Sequence, residues 1–177
     1  SGDQVIPGFL SIDFSFKADL SLDLRKGILP FKSSTINIVV CTSAINYFDK
    51  NSGQKIINET FRVLKKGGIA RFSTQDLEII AQKYLNKDYN FFFQKTANGQ
   101  ERFQGKTFAD KFNSWFYGYD SGIGTCQYVY DFETLKELFK NSGFRKIEKK
   151  KFMESEIVQI KSIDNREDQM FYLEATK

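Results

Sequence analysis

The chain contains no histidine. That absence removes Ser/His/Asp and Cys/His nucleophilic catalysis, HExxH zinc sites and every histidine-based proton shuttle. Cysteine is nearly as scarce. Cys41 and Cys126 alone supply neither a disulfide framework nor a four-ligand zinc site, and so few thiols suit a reducing cytoplasm. Long apolar runs are also lacking: Ile36–Val40 and Phe91–Phe93 are far too short to span a bilayer. No basic start followed by an apolar core reads as a signal peptide. Charge of one sign is in modest excess, +4 overall, which makes nucleic acid a less fitting partner. The basic clusters at Lys65–Lys66 and Arg145–Lys151 could meet nucleic acid or an anionic substrate, but read more simply as solvated faces.

What the chain does have is aromatic mass. It carries 19 Phe and 8 Tyr, crowded between Tyr84 and Phe132, so the excess needs a local explanation. At 177 residues the length fits a single domain with a sizeable core.

Along the chain, Phe9–Asp13 reads as a short buried strand ending in an acid, and Ala18–Leu24 as a second extended segment. Ile36–Thr42 is β-branched and apolar, the pattern of a buried parallel strand. A helix follows, capped by Asn51 or Ser52 and carrying an apolar stripe of Ile56, Ile57, Thr60, Phe61 and Leu64. Lys65–Lys66 would occupy its last turn and Gly67–Gly68 would stop it. Ile69–Ser73 is the next strand, and Asp76 caps a helix over Leu77–Leu85. From Asn86 to Gln127 periodicity fails, which suggests an aromatic insertion with some helix around Phe108–Phe116. Asp131 then caps a helix over Phe132–Asn141, and Gly143 ends it. Phe144–Phe152 and Met170–Ala175 are strands joined by a loop at Ser162–Asp168. The alternation predicts an α/β sheet finished by a hairpin.

With these elements in order, the chain resembles the class I S-adenosylmethionine-dependent methyltransferases, most closely an uncharacterised bacterial branch often associated with polysaccharide genes. Four segments carry the resemblance: Pro7–Asp13; Asp23-Leu24-Arg25 with Leu29-Pro30-Phe31 and Ile36–Val40; Phe61–Gly68; and Tyr130–Phe144 with Phe171–Lys177. It implies a doubly wound, mostly parallel, Rossmann-like sheet with a C-terminal antiparallel hairpin, one domain over residues 1–177 with the insertion at about 86–127. It implies S-adenosylmethionine as cofactor and a small molecule or glycan as methyl acceptor. The cofactor residues it implies are Gly2, Asp13, Phe14, Asp23, Leu24, Thr42 and Ser43. Asp13 suits the ribose diol because an acid at the carboxyl end of a strand faces the sheet crevice. Asp23 is placed for the adenine amino group beside the Leu24 backbone. Each acid also has a bland reading, a turn Asp for Asp13 and a surface loop acid for Asp23.

Three departures stand out. The family's first strand and glycine-rich loop are absent, unless Ser1-Gly2 is the tail of that loop or a tag scar. Two buried strands would then lack a central neighbour, so the expectation is that residues upstream of Ser1 are missing or that a neighbouring chain fills the gap. Relatives usually carry a Glu-His pair where Ala44-Ile45-Asn46-Tyr47 stands, and Lys66 replaces a usual proline. Methyl transfer from a sulfonium rests chiefly on alignment, so a histidine-free chain can perform it. If the acceptor must lose a proton, Asp76, Asp49 and, less suitably, Tyr47 are the candidate bases. The aromatic segment Tyr89–Tyr130 fits either a lid over the acceptor or a self-packed satellite core. Two function classes stay open, a methyltransferase and a methyltransferase-like fold kept for binding or scaffolding. A homo-oligomer is also left open.

Overall fold

A computed structural model describes residues 6–14, 17–118 and 124–177. Helix starts are set by short polar side chains that accept the first free amides. Asp49 takes the amides of Asn51 and Ser52 to start α1 (Lys50–Val63). Asp76 takes that of Glu78 at α2 (Leu77–Leu85), and Asp88 that of Phe91 at the single-turn α3 (Tyr89–Phe92). Thr107 and Asp110 form a reciprocal capping box at α4 (Phe108–Tyr117), and Asp131 caps α5 (Phe132–Asn141). A last short turn, α6 (Ile160–Ile163), falls at the edge of the segment expected to be loop.

The strands fall into two groups. β1 (Ile12–Asp13) and β2 (Leu20–Ser21) pair in parallel as a small ribbon. β3 (Ile36–Thr42), β4 (Leu64–Gln75), β5 (Lys146–Lys150) and β6 (Met170–Thr176) form one sheet in the order β3-β4-β6-β5. β3 and β4 are parallel and joined through α1, while β6 runs antiparallel to both β4 and β5. The α/β expectation and the C-terminal antiparallel pair both hold. β6 also slots between β4 and β5, so the hairpin is built into the sheet rather than appended to it.

Local expectations shift at three places. α1 begins at Asp49 because that carboxylate takes both candidate amides, so neither Asn51 nor Ser52 is the cap. Lys65–Lys66 belong to β4, since the chain leaves the helix at Val63 and enters the strand at fully buried Leu64. The pairing with β3 slips between Ile36–Leu64 and Ile38–Ile69, a bulge in which Gly67 has φ 78°. At Gly68 a Cβ would lie 2.9 Å from the Lys65 carbonyl and 3.0 Å from that of Asn37, so only glycine fits without a shift. The strand expected at Phe9–Asp13, in the main sheet with Ile36–Thr42, shortens to its last two residues and pairs instead with β2 outside that sheet.

One sheet face is covered by α1 and α5 through Ile57, Leu64, Phe72, Leu135, Phe139 and Leu173. Phe72 and Phe139 meet edge to face at 5.0 Å, a geometry the ring quadrupoles favour. The opposite face carries a smaller cluster of Ile157, Ile160 and Ile163 against Ile38, Val40 and Ile69. The insertion packs on itself: Phe91, Phe92, Phe103 and Trp115 surround Ile80. Buried Lys111 ties its strands of chain together, donating to Glu101 and to the Phe103 carbonyl at 2.7 Å each. The satellite-core reading of the aromatics is therefore what the packing shows. The lysines of β5 line a sheet edge, where charge discourages further pairing, and Lys146 and Lys150 pair with Glu148. Among the described residues no helix is long and apolar enough to cross a membrane.

Candidate active site

Four chain segments converge at the carboxyl ends of β3 and β4. The Ser43 amide donates to the Ser73 carbonyl at 2.9 Å, so the turn after β3 is pinned to β4. The carbonyl of Asn46 accepts from the amides of Gln127 and Tyr128 at 2.9 and 3.2 Å, which draws the end of the insertion across that turn. Asp76 donates its amide to the Gln169 carbonyl at 2.9 Å, and Leu77 donates to the Tyr130 carbonyl at 3.0 Å. The turn at 43–48, the cap of α2, the segment 124–130 and the loop before β6 thus share one end of the sheet. In open α/β sheets that end is where ligands bind.

Of the predicted site residues, Thr42, Ser43, Tyr47, Asp49 and Asp76 are brought to this end. Ser43 has φ 52°, a left-handed conformation that costs a non-glycine residue about 1–3 kcal/mol and gathers at functional sites. Tyr47 closes a 3₁₀ turn, Ile45–Tyr47, and is half-buried. Asp49 spends its carboxylate on α1, accepting from two amides and from the Ser52 hydroxyl at 2.6 Å. Those bonds, the Ser52 hydroxyl first, hold it below the usual carboxylate range and make it a weak base. Asp76 is buried. One of its oxygens caps α2 at 3.0 Å while the other faces the Lys149 ammonium at 3.6 Å.

The ribbon carries the remaining candidates. Asp13 and Phe14 lie at the carboxyl end of β1, where the Asp13 carbonyl accepts from Leu22 and the Phe14 carbonyl from the Ser21 hydroxyl. Asp23 is engaged by the Arg25 guanidinium through 2.8 Å contacts to both oxygens and caps the turn at Leu24–Lys26. Arg25 holds the Asp23 carboxyl below its ordinary value, and also lies 6.0 Å over the half-exposed Phe14 ring. Leu24 packs against the main core. Gly2 and Tyr119 of the aromatic segment lie outside the described residues.

Three buried polar atoms at this end find no hydrogen-bond partner among the described residues: Asn46 Oδ1, the Tyr130 hydroxyl and Asn165 Oδ1. Such a group costs about 1–3 kcal/mol, and a polar ligand or water at the site would relieve it. Burial disfavours the thiolate at both cysteines. Burial pushes Cys41 up to about 12 despite the nearby Ile45 and Ala44 amides, and burial also raises Cys126, partly offset by the Asn46 side chain. Sequence reasoning passed over Asn46, although it stands in the segment that departs from the family's Glu-His pair. Gln169 gave no signal, because its role depends on Trp115.

The Trp115 indole donates to buried Gln169 Oε1 at 2.9 Å and Arg102 pairs with Asp168 at 3.2 Å, so the insertion is fastened to the loop before β6 at two points. Trp115→Phe should leave the Gln169 oxygen unpaired and cost about 1–3 kcal/mol in chemical denaturation. A loss within experimental error would show that this bond does not anchor the insertion.

The fold is shared with known enzymes. A S-adenosylmethionine-dependent methyltransferase from Archaeoglobus fulgidus is similar at 11% identity, over 94% of this chain and 74% of that one, with a TM-score of 0.55. Another from Mesorhizobium loti is similar at 16% identity, over 94% and 78%, with a TM-score of 0.52. A possible histamine N-methyltransferase from Thermotoga maritima is 16% identical, and the chain spans 85% of its own length but 60% of that protein's, with a TM-score of 0.43. At such identities the likeness establishes the fold alone. No protein of curated function matches the chain. The profile of the ubiE/COQ5 methyltransferase family matches residues 22–162, a segment that holds β3, α1, β4 and every candidate base. That match bears out the class I methyltransferase resemblance, and the chain belongs to the ubiE/COQ5 methyltransferase family.

Proposed function

We propose that the protein transfers a methyl group from S-adenosylmethionine to a small-molecule or glycan acceptor at the carboxyl ends of β3 and β4. The family match across residues 22–162 carries this reading. When bound, the cofactor supplies an electrophilic methyl group on a sulfonium. Asp13 would accept from its ribose, Asp23 and the Leu24 backbone would border its adenine, and Phe14 would flank the nucleoside. Thr42 and Ser43 would face its methionyl end, and Gly2 would belong to the tail of the family's glycine-rich loop. The unpartnered Asn46 Oδ1 and Tyr130 hydroxyl fit a site that receives polar groups. The aromatic insertion packs as a satellite core, and its end at residues 124–130, drawn across the turn after β3, would border the acceptor. Of the three candidate bases Asp76 is retained first, because its cap engages one oxygen while both oxygens of Asp49 are spent on α1; Tyr47 stands behind both.

Calorimetric titration of the native protein with S-adenosylhomocysteine tests this. Asp13→Ala should weaken binding by about 1–3 kcal/mol, through loss of hydrogen bonds to a charged acceptor. The corresponding change at Asp23 should cost less, since that carboxylate already satisfies Arg25. Unchanged affinity in Asp13→Ala would remove Asp13 from the site.

One observation favours a second reading, a fold kept for binding. Asp23 and Asp49 are both fully occupied by internal bonds. Cofactor binding without consumption of a labelled methyl group in cell extract would support it.

A further inference from the structure

The loop between α6 and β6 lies beyond the segment matched by the family, yet it reaches the same end of the sheet. Arg166 sits there, exposed, with φ 56°. Five described non-glycine residues have a left-handed φ, and two of them, Arg166 and Ser43, touch: Arg166 Nη1 lies 3.5 Å from Ser43 Oγ. Two strained residues from chain positions 123 apart therefore meet at one point. Strain of this kind persists where the surrounding fold enforces it, and marks candidate function.

The charges around Arg166 are committed elsewhere. Asp164 forks onto buried Arg71 at 2.9 and 2.6 Å, and Asp168 pairs with Arg102. Asp76 faces Lys149. Among the described residues no carboxylate lies within ion-pair distance of the Arg166 guanidinium, Glu167 included. The Ser43 hydroxyl makes only a weak contact, 3.7 Å to the Met170 sulfur, so its proton can turn to a better acceptor. A guanidinium edge beside a hydroxyl, both anchored by fixed backbone, matches a planar carboxylate or a phosphate.

We propose that Arg166 and Ser43 form an anion-receiving fork at the mouth of the site, taking a carboxylate or phosphate group. The location rests on the methyltransferase reading, and two sources share the chemistry: the methionyl carboxylate of the cofactor and an anionic group on the acceptor.

The test compares the native protein with Arg166→Gln and Arg166→Gly, the latter free of backbone strain should the former fold poorly. Binding of S-adenosylhomocysteine and of 5′-methylthioadenosine, which lacks the carboxylate, is measured by calorimetry. Inorganic phosphate is measured by its effect on the thermal midpoint at matched ionic strength. If the fork holds the cofactor, both variants weaken S-adenosylhomocysteine about tenfold or more and leave 5′-methylthioadenosine within about twofold. If it holds the acceptor, S-adenosylhomocysteine binding is unchanged and the phosphate-induced rise in midpoint disappears. Phosphate stabilisation that depends on Arg166 in a protein binding neither nucleoside would leave the fork standing and overturn the methyltransferase reading instead. Variants that match the native protein in all three measurements overturn the fork, as does a native protein that responds to none of the three.

Discussion

Replacing Arg71 by alanine should lower the unfolding free energy by about 3–5 kcal/mol, the loss expected when one partner of a buried ion network is removed. The side chain sits in β4 at 1% exposure. It forks onto Asp164, reaches Glu174 at 2.7 Å and the Glu154 carbonyl at 3.1 Å, and lies 5.2 Å over the Tyr172 ring. Glu174 also takes the Ser155 hydroxyl. One cation thus serves two buried carboxylates on different elements. Without it both are stranded away from water, and desolvation rather than the lost attraction dominates the cost. Arg71→Lys keeps the charge but not the fork, so an intermediate loss is expected. Urea titration monitored by circular dichroism measures both variants. A loss under about 1 kcal/mol for Arg71→Ala would mean that water reaches these carboxylates freely.

The second large effect is a coupling between two residues 77 positions apart. In α1, a Cβ on Gly53 would lie 2.5 Å from the Tyr130 hydroxyl, far inside contact distance. Tyr130 is wholly buried and its hydroxyl has no partner. Burial drives that phenol well above its ordinary range, so it stays neutral. Gly53→Ala should destabilise by about 1–3 kcal/mol through overpacking, although alanine in an open helix would gain about 0.8–1 kcal/mol over glycine. Tyr130→Phe should be near neutral or stabilising, because it removes an unpaired buried hydroxyl. In the Tyr130→Phe background the Gly53→Ala change should lose most of its penalty. A double-mutant cycle on thermal or urea unfolding reads the coupling. Additive effects would place the hydroxyl away from the helix.

The sequence alone determined the elements whose signals are local. Asp76 with the apolar spacing behind it located α2 at Leu77–Leu85, and Asp131 located α5 at Phe132–Asn141, because a cap and a helical stripe are properties of neighbouring residues. The β-branched run Ile36–Thr42 likewise became β3, and the order of the motifs pointed to the family. Tertiary structure decided what depends on distant partners. Lys65–Lys66 look like a helix end until buried Leu64 pulls the chain into β4 beside β3. Asp49 and Asp76 are both candidate bases in the sequence, and only the folded caps show that both oxygens of Asp49 are engaged but one of Asp76. Arg71 reads as an ordinary strand residue because Asp164 and Glu174 are 93 and 103 positions away. Ser43 and Arg166 meet for the same reason. Periodicity and capping act within a few residues, whereas ion networks and site walls form only when sheet pairing closes long loops.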